Sequence, residues 1–185
     1  TPPVVVIAAP DGYRGGAVGV WVHATDDQQV SVIELWVDGA PVAAATNPGT
    51  DTEIAFDSRP YADGSHTVHV VAYDPAGHRS QSASRTVQID NSNPVALLVD
   101  PRTGTTASGS MLVRAYVSDP SGIMGTFLIV NGRVVAGFTG SGWGQAVVPV
   151  TTRGPIRVVA ITGDNAGHIS GSNWAMVTGV GRRRR

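Results

Sequence analysis

The carboxylates of this sequence sit in loop-like stretches, and they do so twice. Asp26 and Asp74 return as Asp119 and Asp164, at offsets of 93 and 90. Asp27 adjoins the first of them, and a polar stretch, Asp90-Asn91-Ser92-Asn93, separates the two sets. Carboxylate and amide oxygens are hard ligands, and calcium takes about six to eight of them at flexible geometry. The candidate set for such an ion is Asp90, Asn91, Asn93, Asp119 and Asp164, and no other cofactor is expected. The plainer use of these residues is structural, because Asp at the start of a tight turn accepts backbone N–H bonds. No EF-hand spacing accompanies them. The histidines are His23, His66, His69, His78 and His168. His66 and His69 lie three apart on a run read as a strand, so they face opposite sides and share no metal. Gly140-Ser141-Gly142-Trp143-Gly144 sets a serine among glycines. It lacks the Gly-x-Ser-x-Gly spacing of a nucleophile elbow, no helix follows it, and it reads as a Gly-rich connection. Phosphate loops, zinc motifs and paired catalytic carboxylates do not appear. The expectation is a protein that is not an enzyme.

Short alternating runs must hold these residues. Val18, Val20, Val22 and Ala24 share one parity, with Trp21 and His23 on the other. Ile33, Leu35 and Val37 form the next core set, followed by Asp38-Gly39, a hairpin signal because a type I′ turn needs positive φ at both central residues. Residues 41–45, 52–56, 66–73 and 82–89 read as further strands. Asp74-Pro75-Ala76-Gly77-His78 then recurs as Asp164-Asn165-Ala166-Gly167-His168, and Val37-Asp38-Gly39 recurs as Val130-Asn131-Gly132. Landmarks at nearly constant offset mean one unit used twice. Among 185 residues, 23 Gly and 12 Pro spread through short apolar runs favour strands and turns. The fold expected is all-β: two tandem immunoglobulin-like sandwiches of about seven strands each, over residues 1–90 and 95–181, joined by a linker at 91–94.

The net charge is −1, every basic residue is Arg, and no basic stripe exists before residues 182–185, so nucleic acid is not an expected partner. No run is long enough to span a membrane. Cysteine is absent, which excludes disulfides and thiolate metal sites. Thr1-Pro2-Pro3 reads as the start of a mature or excised piece rather than a translation start.

Several stretches resemble the bacterial Ig-like domains. They are Pro2-Pro3-Val4, Ile33-Glu34-Leu35-Trp36-Val37-Asp38-Gly39, Asp63-Gly64-Ser65-His66-Thr67-Val68 and Ala72-Tyr73-Asp74-Pro75-Ala76-Gly77-His78. His78 and His168 stand where that family usually has Asn, and the second unit has Arg153-Gly154-Pro155 in place of the Asp-Gly-Ser-His turn. The resemblance implies an extracellular setting in secreted or surface proteins, where such modules are tandem appendages of hydrolases, proteases and adhesins. It also implies that the loops carrying Asp119 and Asp164 share one end with the linker, which would gather the calcium set. His66 has the parity of inward Val68 and is expected to hydrogen-bond across a chain corner, as the corner tyrosine does in related sandwiches.

The outward parity of the C–F–G sheet carries more apolar side chains than a solvated face needs. In the first unit these are Trp36, Val71 and Tyr73, beside His69. In the second they are Phe127, Ile129, Val159 and Ile161. Contiguous patches of this kind mark interaction sites unless a hairpin or loop folds over them. The expected role is a spacer and protein-binding or self-assembly element acting through these faces. The alternatives are a glycan-binding accessory module using Trp21, Trp36, Tyr73 or Trp143, and a phage virion decoration module. The four arginines at 182–185 could dock on an acidic surface.

Overall fold

A computed structural model describes residues 1–181. Residues 182–185, and with them the expected basic tail, lie outside the described residues. All regular elements among the described residues are strands, and the chain divides into two compact units between Asn91 and Ser92.

The first unit contains β1 (Val4–Ala8), β2 (Tyr13–Arg14), β3 (Ala17–Thr25), β4 (Val32–Val37), β5 (Ala40–Thr46), β6 (Asp51–Asp57), β7 (Gly64–Tyr73), β8 (Arg79–Gln81) and β9 (Arg85–Ile89). One sheet has the order β1-β3-β6. The other has the order β2-β9-β7-β4-β5, with β8 also on β7. The alternation decides which faces meet. Val18, Val20 and Val22 of β3 lie in one buried cluster with Ile33, Leu35 and Val37 of β4 and Val68 and Val70 of β7. Each such side chain contributes roughly 1.5–3 kcal/mol on burial.

The second unit repeats the plan with β10 (Val95–Asp100), β11 (Thr106–Ala107), β12 (Gly109–Ser118), β13 (Ile123–Val130), β14 (Arg133–Phe138), β15 (Gly142–Val150), β16 (Arg153–Asp164), β17 (Ile169–Gly171) and β18 (Ala175–Val180). Its sheets are β10-β12-β15 and β11-β18-β16-β13-β14, with β17 also on β16. In the lettering of the sandwich, C, F and G are β4, β7 and β9 in the first unit and β13, β16 and β18 in the second.

Three expectations are corrected. Each unit has nine strands rather than about seven, because a short strand (β2, β11) runs parallel to the last one and the last strand is itself split. The split falls at Ser82, read above as part of a continuous strand over 82–89. Its Oγ accepts from Val70 N at 3.1 Å and donates to Ala83 O at 3.0 Å. Ser172 does the same, with Ala160 N at 2.9 Å and Asn173 O at 2.9 Å. A hydroxyl thus replaces a ladder bond and lets the chain break. Finally, the stretch around Trp143 is not a loop, since β15 begins at Gly142. Gly144 lies inward there, and a Cβ on it would collide with the ring of Phe138, so this glycine makes room in the core. The hairpin turns follow expectation: Asp38 and Gly39 have φ of 49° and 81°, and Asn131 and Gly132 have 49° and 77°.

Candidate functional site

At one end of each sandwich the repeated Asp organises the turn after F. Asp164 is wholly buried. Its Oδ1 accepts from the backbone N–H groups of Ala166, Gly167 and His168 at 2.9, 2.7 and 2.8 Å, and its Oδ2 pairs with His168 Nδ1 at 3.0 Å. Asp74 accepts from His78 N at 2.9 Å and His78 Nδ1 at 2.7 Å. The histidine that replaces the usual Asn therefore caps the carboxylate of its own turn. Asp119 Oδ1 accepts from Ser121 N at 2.8 Å, and Asp26 Oδ1 accepts from Gln28 N at 2.9 Å. The second oxygen of each, Asp119 Oδ2 and Asp26 Oδ2, is buried with no hydrogen-bond partner.

Asn91, from the calcium set, is spent inside its own unit. Its Oδ1 accepts from Ser58 Oγ at 2.8 Å, and its Nδ2 donates to Ser58 O at 2.9 Å and Tyr61 O at 3.2 Å. Asp90 is buried, and its N–H donates to Arg14 O at 2.9 Å. Asn93 is exposed.

At the opposite end of the first unit, His66 forms the expected corner bond. Its Nδ1 lies 2.6 Å from Asp38 Oδ2 and its Nε2 lies 2.8 Å from Ala62 O. Both partners are oxygen atoms that accept, an arrangement that favours the protonated ring, which can donate from both nitrogens. Asp38 accordingly raises the pKa of His66, and His66 holds that of Asp38 down.

The two outer C–F–G faces diverge. In the first unit the side chains close on one another. The rings of Trp36 and His69 stack with centroids 5.8 Å apart. Trp36 Nε1 and Tyr73 Oη both donate to Glu34 Oε2 at 3.2 Å. Val71, the Cα partner of Glu34, is only 6% exposed. Glu34 shares the outward parity of Trp36, and that parity was the available signal for its role. Among the described residues of the second unit no such anchor exists. Phe127 faces Ile161 and Ile129 faces Val159 across β13 and β16, and Val134 follows Ile129 on β14. Phe127 is 52% exposed, and Met124, Val134 and Ile169 are more exposed still. Met124 and Ile169 flank the outward side of Gly163. Val159 is buried at 3%, so it forms the floor of this surface.

The opposite sheets carry Trp21 and Trp143, two of the aromatics named for the glycan-binding alternative. Trp21 on β3 stands outward between Ala8 and Glu53. Trp143 on β15 stands outward beside Tyr116, with ring centroids 5.2 Å apart. The signal for Trp143 was its strand parity, concealed by the flanking glycines.

Two sandwiches of this strand order, the second repeating the first, make a tandem immunoglobulin-like chain. Residues 3–70 match the family model of the bacterial Ig domain. No curated protein matches the sequence. Among solved structures, the chain is similar to the fibronectin(III)-like modules of Clostridium thermocellum CbhA, with 18% identity and a TM-score of 0.52 over 98% of this chain and 99% of that one. It is also similar to a 1.5-MDa bacterial ice-binding adhesin, with 16% identity and a TM-score of 0.54 over 98% of this chain and 66% of that one. At such identities the likeness shows the fold alone. Among the described residues no helix is long and apolar enough to cross a membrane.

Proposed function

We propose that the chain is a non-enzymatic tandem element of a bacterial surface or secreted protein, a spacer that makes protein contact through the outer C–F–G face of its second unit. The match of residues 3–70 to the bacterial Ig domain supports the setting. The observation that carries the contact is the uncharged row of Phe127, Ile129, Val134 and Ile161 on adjacent strands. A row without charge can meet its own copy about a two-fold axis without setting like charges against one another. The partner to test first is therefore a second copy.

Specific pairing needs about 800 Å² buried on each side. Light scattering across a concentration series should show a dimer that grows with concentration and is abolished by Phe127→Asp or Ile161→Asp. A monomer at every concentration, or a dimer indifferent to both substitutions, refutes self-association through this face.

A further inference from the structure

The outward face of β10-β12-β15 in the second unit is built as two contrasting rows. Strand register sets Leu97, Tyr116 and Trp143 side by side across the three strands. The next row is Asp100, Arg114 and Gln145. Rows two residues apart on a strand are separated by about 6.6 Å, and each row spans roughly 10 Å across three strands. An apolar, largely aromatic strip thus runs beside a hydrogen-bonding strip.

The details favour a ligand rather than plain solvent. Trp143 is 62% exposed. The Arg114 guanidinium lies 5.3 Å from the centroid of its ring, which fixes the ring's orientation. Arg114 in turn pairs with Asp100 at 2.8 Å. The pair presents a donor and an acceptor at one place while its charges cancel. Arg114 Nε is buried and has no hydrogen-bond partner, an unsatisfied donor within the polar strip.

We infer that this face binds a neutral polysaccharide lying across the strands. A pyranose ring is amphipathic: its C–H face would stack on Trp143, with Tyr116 set at 61° to that ring as a side wall, and its edge hydroxyls would meet Arg114, Asp100 and Gln145. The neutralised pair disfavours a polyanion, which would need unpaired cations. The flatness of a sheet face suits an extended chain held along its length. This site is separate from the assembly surface, since the two lie on opposite sheets of one sandwich, and neither reading depends on the other.

The test is affinity electrophoresis of the full chain in gels containing a soluble cellulose ether, a galactomannan or soluble starch, with alginate as the anionic comparison. Retardation is expected in at least one neutral gel. Binding should weaken about tenfold in Trp143→Ala, a loss of about 1.4 kcal/mol, and measurably in Arg114→Met, which keeps the packed stem. Phe127→Asp should bind as the wild type does. Three results would overturn the inference: no retardation in any neutral gel, retardation in alginate alone, or retardation unchanged in Trp143→Ala. Equal weakening by Phe127→Asp would place binding elsewhere and overturn it as well. Failure here leaves the light-scattering result untouched, so the two readings fall separately.

Discussion

Replacing Asp164 by Ala should cost the second unit far more than replacing Asp74 costs the first, although the two residues occupy the same place in the repeat. Asp164 accepts three backbone N–H bonds and one imidazole bond. Asp74 accepts one of each from His78, and the backbone N–H of Ala76 acts on its carboxylate as well. A net hydrogen bond is worth about 1 kcal/mol, and more when the acceptor is charged. Turn N–H groups partly regain water on release, so the lower figure applies. Asp164→Ala then loses about 4 kcal/mol, a large part of the roughly 5–15 kcal/mol that holds a domain. This corresponds to nearly three orders of magnitude in the opening equilibrium. Asp74→Ala gives up fewer bonds and should lose visibly less. Hydrogen exchange read by mass spectrometry on the full chain separates the units, because peptides from β16 and β18 report on one and peptides from β7 and β9 on the other. Protection should collapse across β16 and β18 in Asp164→Ala and hold in β7 and β9. Asp164→Asn, which keeps the accepting oxygen, should retain most of it. Equal losses in the two units, or a loss below about 1 kcal/mol in Asp164→Ala, would refute the bond-counting argument.

The corner of the first unit should be sensitive to pH. The pKa of His66 is raised above 6.5, first by its bond to Asp38, so its contribution is full below 6.5 and is lost as pH rises through the folded value. That of Asp38 is lowered below 3.8, first by His66, so its contribution is present above 3.8 and is lost as pH falls through the folded value. Exchange protection of β7 should therefore weaken on the alkaline side, and His66→Gln should flatten that limb. Ser82→Ala leaves the buried N–H of Val70 without its partner and Ser172→Ala does the same to Ala160. Each should cost about 1–3 kcal/mol in urea unfolding, and cheap substitution at both would show that the chain break needs no hydroxyl. Calcium titration addresses the acidic set. With the oxygens of Asn91 and Asp164 engaged inside their own units, calcium should leave the unfolding temperature unchanged. A rise that Asp119→Asn abolishes would reverse that expectation.

Period and punctuation made the architecture readable. Ile33, Leu35 and Val37 could be assigned inward because strand parity leaves two choices and Asp38-Gly39 closes the run. The constant offset then carried the assignment to Leu128. What stayed hidden depends on side chains finding partners far away in the chain. Nothing local marks Ser82 as the acceptor for Val70 N rather than one more strand residue. Trp143 looked like part of a loop because glycine usually signals a turn, whereas Gly144 is there to clear space for Phe138.

The same limit explains why equal parity gave unequal surfaces. Trp36 and Phe127 both occupy outward positions of strand C, and composition alone would call both sticky. Glu34 separates them: one carboxylate collects the indole N–H and the Tyr73 hydroxyl and closes the first face. The residue two places before Phe127 is Gly125, which has no side chain to do this. An outward aromatic is therefore a candidate contact only where its sheet neighbours have no polar group to hold it down. By that criterion the open C–F–G face of this chain is the one bearing Phe127 and Ile161. On the other sheet of the same unit Arg114 does reach Trp143, but it covers the indole only in part and comes paired with Asp100. That face sets a hydrogen-bonding row beside its aromatic one, whereas the row of Phe127, Ile129, Val134 and Ile161 has no polar group of its own, which is why one is assigned to a hydroxyl-rich ligand and the other to an apolar protein surface.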